Sequence, residues 1–211
     1  MAQLGSALPW GGRGREFKSR RSDHDRTELL FFVNESSFFD MYQKKEGMGM
    51  DIRIRPACID DLDAVTAIEQ ACFPKAEAAT REQLQERLAA FQHSFLLAEK
   101  ENHPVGFING CVTARQVLTD DLYASTQLHD DTAANMMVFG LDVVPQEQHQ
   151  GIAKQLMQAY IALAIKRHKA LITLTCKKQL IPFYEQFGYV CQGRSVSTHG
   201  GVTWYTMTMY L

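Results

Sequence analysis

No stretch of this chain approaches the roughly 20 uninterrupted apolar residues that a membrane span needs, so a spanning helix is excluded and a soluble, cytoplasmic protein is expected. Cysteine is scarce and unpatterned. The five (Cys58, Cys72, Cys111, Cys176, Cys191) are odd in number, scattered and without a C-x-x-C pair. With no signal peptide, that reads as reduced buried thiols and excludes a disulfide framework. No two His, Cys or carboxylate residues stand at ligand spacing on a recognisable element, so no metal is expected. Charge of one sign is lacking too: 22 Lys+Arg against 24 Asp+Glu leave a net −2, which gives no global reason to expect nucleic acid or membrane as partner. Neither a Walker A ending nor a G-x-G-x-x-G spacing occurs.

What is present is an ordinary globular composition, 45% hydrophobic and 22% charged, in 211 residues: one domain plus a short extension. The composition shifts near Met50. Residues 1–49 hold six of the 14 glycines, and Met1–Arg26 shows no hydrophobic period of either kind. Arg13, Arg15, Lys18, Arg20 and Arg21 could serve a nucleic-acid arm, but such clusters are usually only solvated. Glu16, Asp23 and Asp25 argue against a targeting peptide. The string from Ala2-Gln3-Leu4 through Glu16–His24 reads like translation across a transfer-RNA gene, and Met41, Met48 and Met50 offer later starts. The expectation is a functionless leader at 1–49 and one domain at 50–211.

Along that domain, Ile52–Arg55 alternates apolar and charged residues, a half-buried strand ended by Pro56. Asp60-Asp61 open a helix through Leu62, Val65 and Ile68, and Thr80 with Gln83 makes a capping box for a second. Strands follow at 94–99 and 105–112, then a polar, irregular stretch over Leu118–Asn135. Met136–Val144 is an apolar run of central-strand length. Gly151–His168 is the clearest helix, with Leu156, Ala159/Tyr160 and Leu163 on one stripe. Leu171–Cys176 is another buried strand, Leu180–Phe187 a short helix with Pro182 in its first turn and Gly188 as its stop, and 189–195 with 203–210 a closing hairpin. The order β-α-α-β-β-β-α-β-α-β-β predicts an α/β (α+β) fold, a mixed central sheet of about seven strands with helices on both faces.

The stretch that carries chemistry is a strand, a turn and a helix: Leu141-Asp142-Val143 through Gln148-His149-Gln150-Gly151-Ile152-Ala153-Lys154. The first amides of a helix lack internal partners and lie at the positive end of its dipole, so they suit a phosphate. Small residues at Gly151 and Ala153 let a ligand approach the backbone. A glycine that only permits a tight turn is the plainer alternative. Gly140, inside an apolar strand, marks a bulge or close approach, and would free Leu141 and Val143 for an extended, amide-bearing ligand such as a pantetheine arm.

At this point Met50–Leu211 resembles the GNAT superfamily of acetyl-CoA-dependent N-acyltransferases, in element order and in Gln148-x-x-Gly151-x-Ala153. It is most similar to the arylalkylamine (serotonin-type) group, through Glu69-Gln70-Ala71-Cys72-Phe73-Pro74 and through Cys176 with Leu180-Ile181-Pro182-Phe183-Tyr184-Glu185-Gln186-Phe187-Gly188-Tyr189. The resemblance implies acetyl-CoA held by Leu141–Val143 and Gln148–Lys154, transfer of its acetyl group to a primary amine of a small molecule, and Tyr184 as the general acid. A homodimer is left open. Amides at Val138–Leu141 could serve the thioester oxygen. The two histidines that vertebrate members carry on the fourth strand correspond here to Met137 and Phe139, so the general base is unassigned; His129, Asp130, Asp131 and bulk water are candidates. Alternation along the strand sends Asp142 to the face opposite Phe139. Met137, Phe139, Phe73 and Pro74 would line an apolar acceptor pocket. Cys176, beside Lys177-Lys178, could have a lowered pKa, but no histidine or acid follows in a nucleophilic arrangement and its strand-end position suggests packing. A non-catalytic acyl-CoA-binding module is the alternative reading.

Overall fold

The computed structural model describes residues 52–197 and 199–211; the leader and its boundary lie outside them. β1 (Ile52–Pro56) buries Ile52 and Ile54 and turns Arg53 outward, as alternation requires. Arg55 reaches past the strand end to Asp61, whose two carboxylate oxygens accept from its guanidinium at 2.7 and 2.8 Å. Asp61 also accepts from the Cys58 amide at 2.8 Å, tying strand to turn before α1 (Leu62–Cys72) begins. α2 (Arg81–Ala90) starts at the capping box: Thr80 Oγ1 accepts from the Gln83 amide at 3.2 Å and Gln83 Oε1 from the Thr80 amide at 2.9 Å.

Strands β2 (Phe95–Lys100) and β3 (His103–Asn109) form a hairpin whose Glu101 and Asn102 both have positive φ, 52° and 63°. β4 (Val112–Thr113) continues β3 after a break. The stretch expected to be irregular holds α3 (Asp120–Ala124) and a further short turn at Thr126–Leu128. The difference has a physical cause: Leu118 and Leu122 are both buried and clip that segment onto the core.

The central run is broken into β5 (Asn135–Val138) and β6 (Gly140–Val143) at Phe139. That break decides the topology. Instead of one sheet of about seven strands, the described residues form nine strands in two sheets, ordered β1-β2-β3-β6 and β4-β5-β7-β9-β8. The second sheet is completed by β7 (Leu171–Cys176), β8 (Val190–Arg194) and β9 (Tyr205–Tyr210). Only β5–β7 is parallel, and its ladder ends at Val138↔Leu174, so the two sheets diverge beyond it. α4 (Ile152–Lys166) covers one face through Leu156, Tyr160 and Leu163. α1, α2 and α3 cover the other through Val65, Leu84, Leu88 and Leu122. α5 (Ile181–Glu185) sits against β8 and β9, with Pro182 in its first turn and Gly188 at φ 96° after it.

Candidate active site

The site is built around the bulge at Phe139-Gly140. The Phe139 amide donates to the Asn109 carbonyl at 2.7 Å, while Gly140 is the register partner of the same Asn109, so two residues of one strand face one of the other. Glycine suits position 140: a Cβ there would lie 2.8 Å from Asp142 Oδ2 and 3.2 Å from Asn109 Nδ2, so those side chains would have to shift. The extra residue resets the alternation. Phe139 packs among Phe91 and Tyr123 on the α1–α2 face, and Asp142 lies on that face too, not opposite it as period-2 counting requires.

Downstream of the bulge, the Val144 amide donates to Val105 at 2.9 Å. By antiparallel alternation, Leu141 and Val143 therefore aim their N–H and C=O groups at the divergent side, away from β3. The Val143 carbonyl is already taken, by Gln148 Nε2 at 2.9 Å and the Cys72 thiol at 3.2 Å. Leu141 keeps both groups toward the gap. At the far end Gly151 is the N-cap of α4 at φ 83°, with no side-chain cap, so the amides of Ile152, Ala153 and Lys154 have no intrahelical acceptor. No atom lies within 4 Å of a Cβ placed on Gly151. Leu141, Val143, Gln148, His149, Gly151, Ile152, Ala153 and Lys154 all line one cleft of ≈ 350 Å³. Asp142 and Gln150 do not. Asp142 points into the protein, and Gln150 accepts from Lys100 Nζ at 3.1 Å.

A second cavity of ≈ 160 Å³ opens on the α1–α2 side of the gap. Phe73 and Phe139 are on its walls with Tyr123 and Trp204. Pro74 is exposed at the surface, and Met137, on the ladder before the bulge, is wholly buried. The apolar lining expected from sequence is incomplete, because Glu69, Glu77 and Arg87 are also on the walls. Glu77 is neutralised by Lys177, 2.9 Å away, whose ammonium lies over the Trp204 ring. Glu69 Oε1 accepts from the Ala79 amide at 2.7 Å. Arg87 donates to the Tyr123 carbonyl at 3.2 Å and lies 4.9 Å from the Phe139 ring centre.

Tyr184 stands between the two cavities and lines both. Burial pushes its phenol above the ordinary tyrosine range, and negative charge at Cys176 and Asp142 would push the same way, so the hydroxyl keeps its proton at neutral pH. Cys176 is no nucleophile: burial raises its thiol to about 12. His129 also stays out of the site. Its Nδ1 accepts from the Val112 amide at 3.1 Å, and its ring packs on Phe91, which separates it from Phe139. Asp131 pairs with Arg167 at 3.0 Å, and Asp130 holds Thr132. Among the described residues no group of three metal-ligating side chains forms, and no helix is long and apolar enough to cross a membrane.

Residues 59–211 match the family model described as an acetyltransferase (GNAT) domain. No curated protein matches. Solved structures share the fold at low identity. The loading GNATL domain of CurA from Lyngbya majuscula has a TM-score of 0.67 at 13% identity, covering 75% of this chain and 97% of that one. Naa50 of Arabidopsis thaliana, in complex with the bisubstrate analogue CoA-Ac-MVNAL, has 0.60 at 15%, covering 76% and 99%. The yncA protein of Salmonella typhimurium, with its cofactor acetyl-CoA, has 0.54 at 16%, covering 76% and 94%. With its match to the family model extending over the split strand, the αL helix start and the tyrosine between two cavities, the chain belongs to the GNAT acetyltransferase family.

Proposed function

We propose that the protein transfers the acetyl group of acetyl-CoA to a primary amine of a small molecule by direct attack in a ternary complex. The observation that carries this reading is the meeting of two cavities at one wall, where Leu141, Leu180 and Tyr184 belong to both linings. Such a wall lets donor and acceptor enter from opposite sides and meet at one point, without a covalent enzyme intermediate. Acetyl-CoA supplies the activated acyl group. Leu141 pairs with its amide-bearing arm as an added strand would, and the amides of Ile152–Lys154 receive its phosphates. The fit rests on Leu141's unused ladder groups and on the open space at Gly151.

Tyr184, protonated and central, gives its hydroxyl proton to the departing sulfur. The acceptor cavity offers aromatic walls (Phe73, Tyr123, Phe139, Trp204) and a carboxylate, Glu69, which suits an ammonium carried on an aryl or hydrophobic body. Titration calorimetry with acetyl-CoA, followed by a free-thiol assay across a panel of amines, tests the reading. Expected are saturable binding and CoA release that favours phenethylamine-like acceptors over polycationic ones. Binding without release would make the protein an acyl-CoA-binding module; absence of binding at millimolar acetyl-CoA would overturn the assignment.

A further inference from the structure

One arginine stands apart from the others. Arg53, Arg55, Arg81, Arg115 and Arg167 each pair with a carboxylate, and Arg194 is exposed. Arg87 is 6% exposed, and among the described residues no carboxylate forms an ion pair with it. Its guanidinium donates to the Tyr123 carbonyl at 3.2 Å and rests over the Phe139 ring, 4.9 Å from the centre. A guanidinium carries five N–H donors, so one neutral acceptor and one ring face satisfy it only in part. Burial works against its charged form, with the negative charge of Glu69 foremost among the opposing influences, and an arginine keeps its proton all the same. Arg87 is on the wall of the second cavity, where a ligand can complete its set of acceptors.

On the reading that the acceptor is a primary amine, we propose that it also carries a carboxylate beside that amine, as an aromatic α-amino acid does, and that Arg87 receives the carboxylate. A carboxylate can accept two parallel N–H bonds from a guanidinium at once, which fixes its orientation as well as its position. The spacing favours a short link between the ligand's two polar groups. Arg87 lies over Phe139, and Leu141, two residues further along, belongs to the wall that both cavities share. Two residues of strand span at most about 7 Å, so a carboxylate on Arg87 lies close to the point of transfer. The aromatic body follows from the surroundings: the Phe139 and Tyr123 ring centres are 4.8 Å apart, and Phe73 and Trp204 stand on the same wall. With Glu77 held by Lys177, Glu69 and Arg87 give the wall charges of both signs, the complement of an ammonium and a carboxylate.

The test compares phenylalanine with phenethylamine, which lacks only the carboxylate, and adds 3-phenylpropanoate, which lacks only the amine. Wild type is expected to prefer phenylalanine about 10²-fold in kcat/KM, and Arg87→Gln to bring the two amines near parity. Arg87→Lys, which keeps the charge and loses the fork, should give an intermediate ratio. By calorimetry, 3-phenylpropanoate should bind wild type at millimolar concentration and bind Arg87→Gln at least about 10-fold more weakly. Arg87 is not on the wall of the donor cleft, so an unchanged acetyl-CoA affinity reports that each variant is folded. A wild type that prefers phenethylamine, or a preference that Arg87→Gln leaves intact, would overturn the carboxylate anchor. Should Arg87→Gln not fold, the wild-type ratio and the binding of 3-phenylpropanoate decide by themselves. Turnover of neither amine would overturn the amine reading instead; binding of 3-phenylpropanoate would still support the Arg87 site, and its failure to bind would refute that site as well.

Discussion

A single hydroxyl at Tyr184 separates a general acid from a packing ring. Tyr184→Phe keeps the ring and its edge contacts with Phe183 and Tyr189. If the hydroxyl protonates the sulfur, turnover falls about 10²-fold while calorimetry returns an unchanged acetyl-CoA affinity. A packing role would instead lower the melting temperature and leave the rate per folded molecule intact. Gly151 makes a second residue-scale case. Its φ of 83° strains any side chain, yet nothing within 4 Å obstructs a Cβ. Gly151→Asp therefore costs about 1 kcal/mol of stability, a shift readable by urea titration. On the proposed cradle the same change places a carboxylate beside the phosphates, so acetyl-CoA binding should be lost outright. Retained binding would disprove the cradle.

The regular elements were legible wherever a local cause sufficed. Thr80 and Gln83 announce the start of α2, and the strand Leu171–Cys176 has the bounds its composition suggests. Thr80→Ala should therefore cost about 1 kcal/mol, seen as a melting temperature a few degrees lower. The hidden feature was non-local. Gly140 signals a bulge in sequence, but which residue doubles up depends on the partner Asn109, about 30 positions upstream. One residue of slip inverted the assignment of Asp142. Glu69 on the wall of the second cavity was hidden separately, because it reads in sequence only as part of a motif beside Phe73. The helix at Asp120–Ala124 escaped for a similar reason, since two leucines held by tertiary packing leave no period.

For the molecule as a whole, buried charge makes stability depend on pH in two opposed ways. Burial alone would raise Asp61, but Arg55 and the Cys58 amide more than offset that and hold its carboxyl below the ordinary value of 3.8. Its stabilising contribution is present above that value and is lost as pH falls through the lower folded value. Asp142 behaves oppositely: its folded pKa is raised, so folding is favoured by the bound proton and weakens as pH rises from about 4 toward that raised value. Urea unfolding of wild type and Asp142→Asn between pH 5 and 8 should show the variant gaining on the wild type as pH increases. A pH-independent difference would show that Asp142 does not titrate in the folded state.

The open V between the two sheets has a consequence for the life of the protein in a cell. Leu141 presents to that gap the pattern of donors and acceptors that an extended chain recognises as a neighbour, a raw edge inside the body of the fold. Until a ligand fills it, that edge can template pairing with a stray segment, most dangerously during synthesis, when the covering helices are incomplete. A metabolite that binds only the folded form draws the population toward it. On the proposed function, acetyl-CoA supply would then govern how much of the newly made protein stays out of aggregates as well as how fast it works.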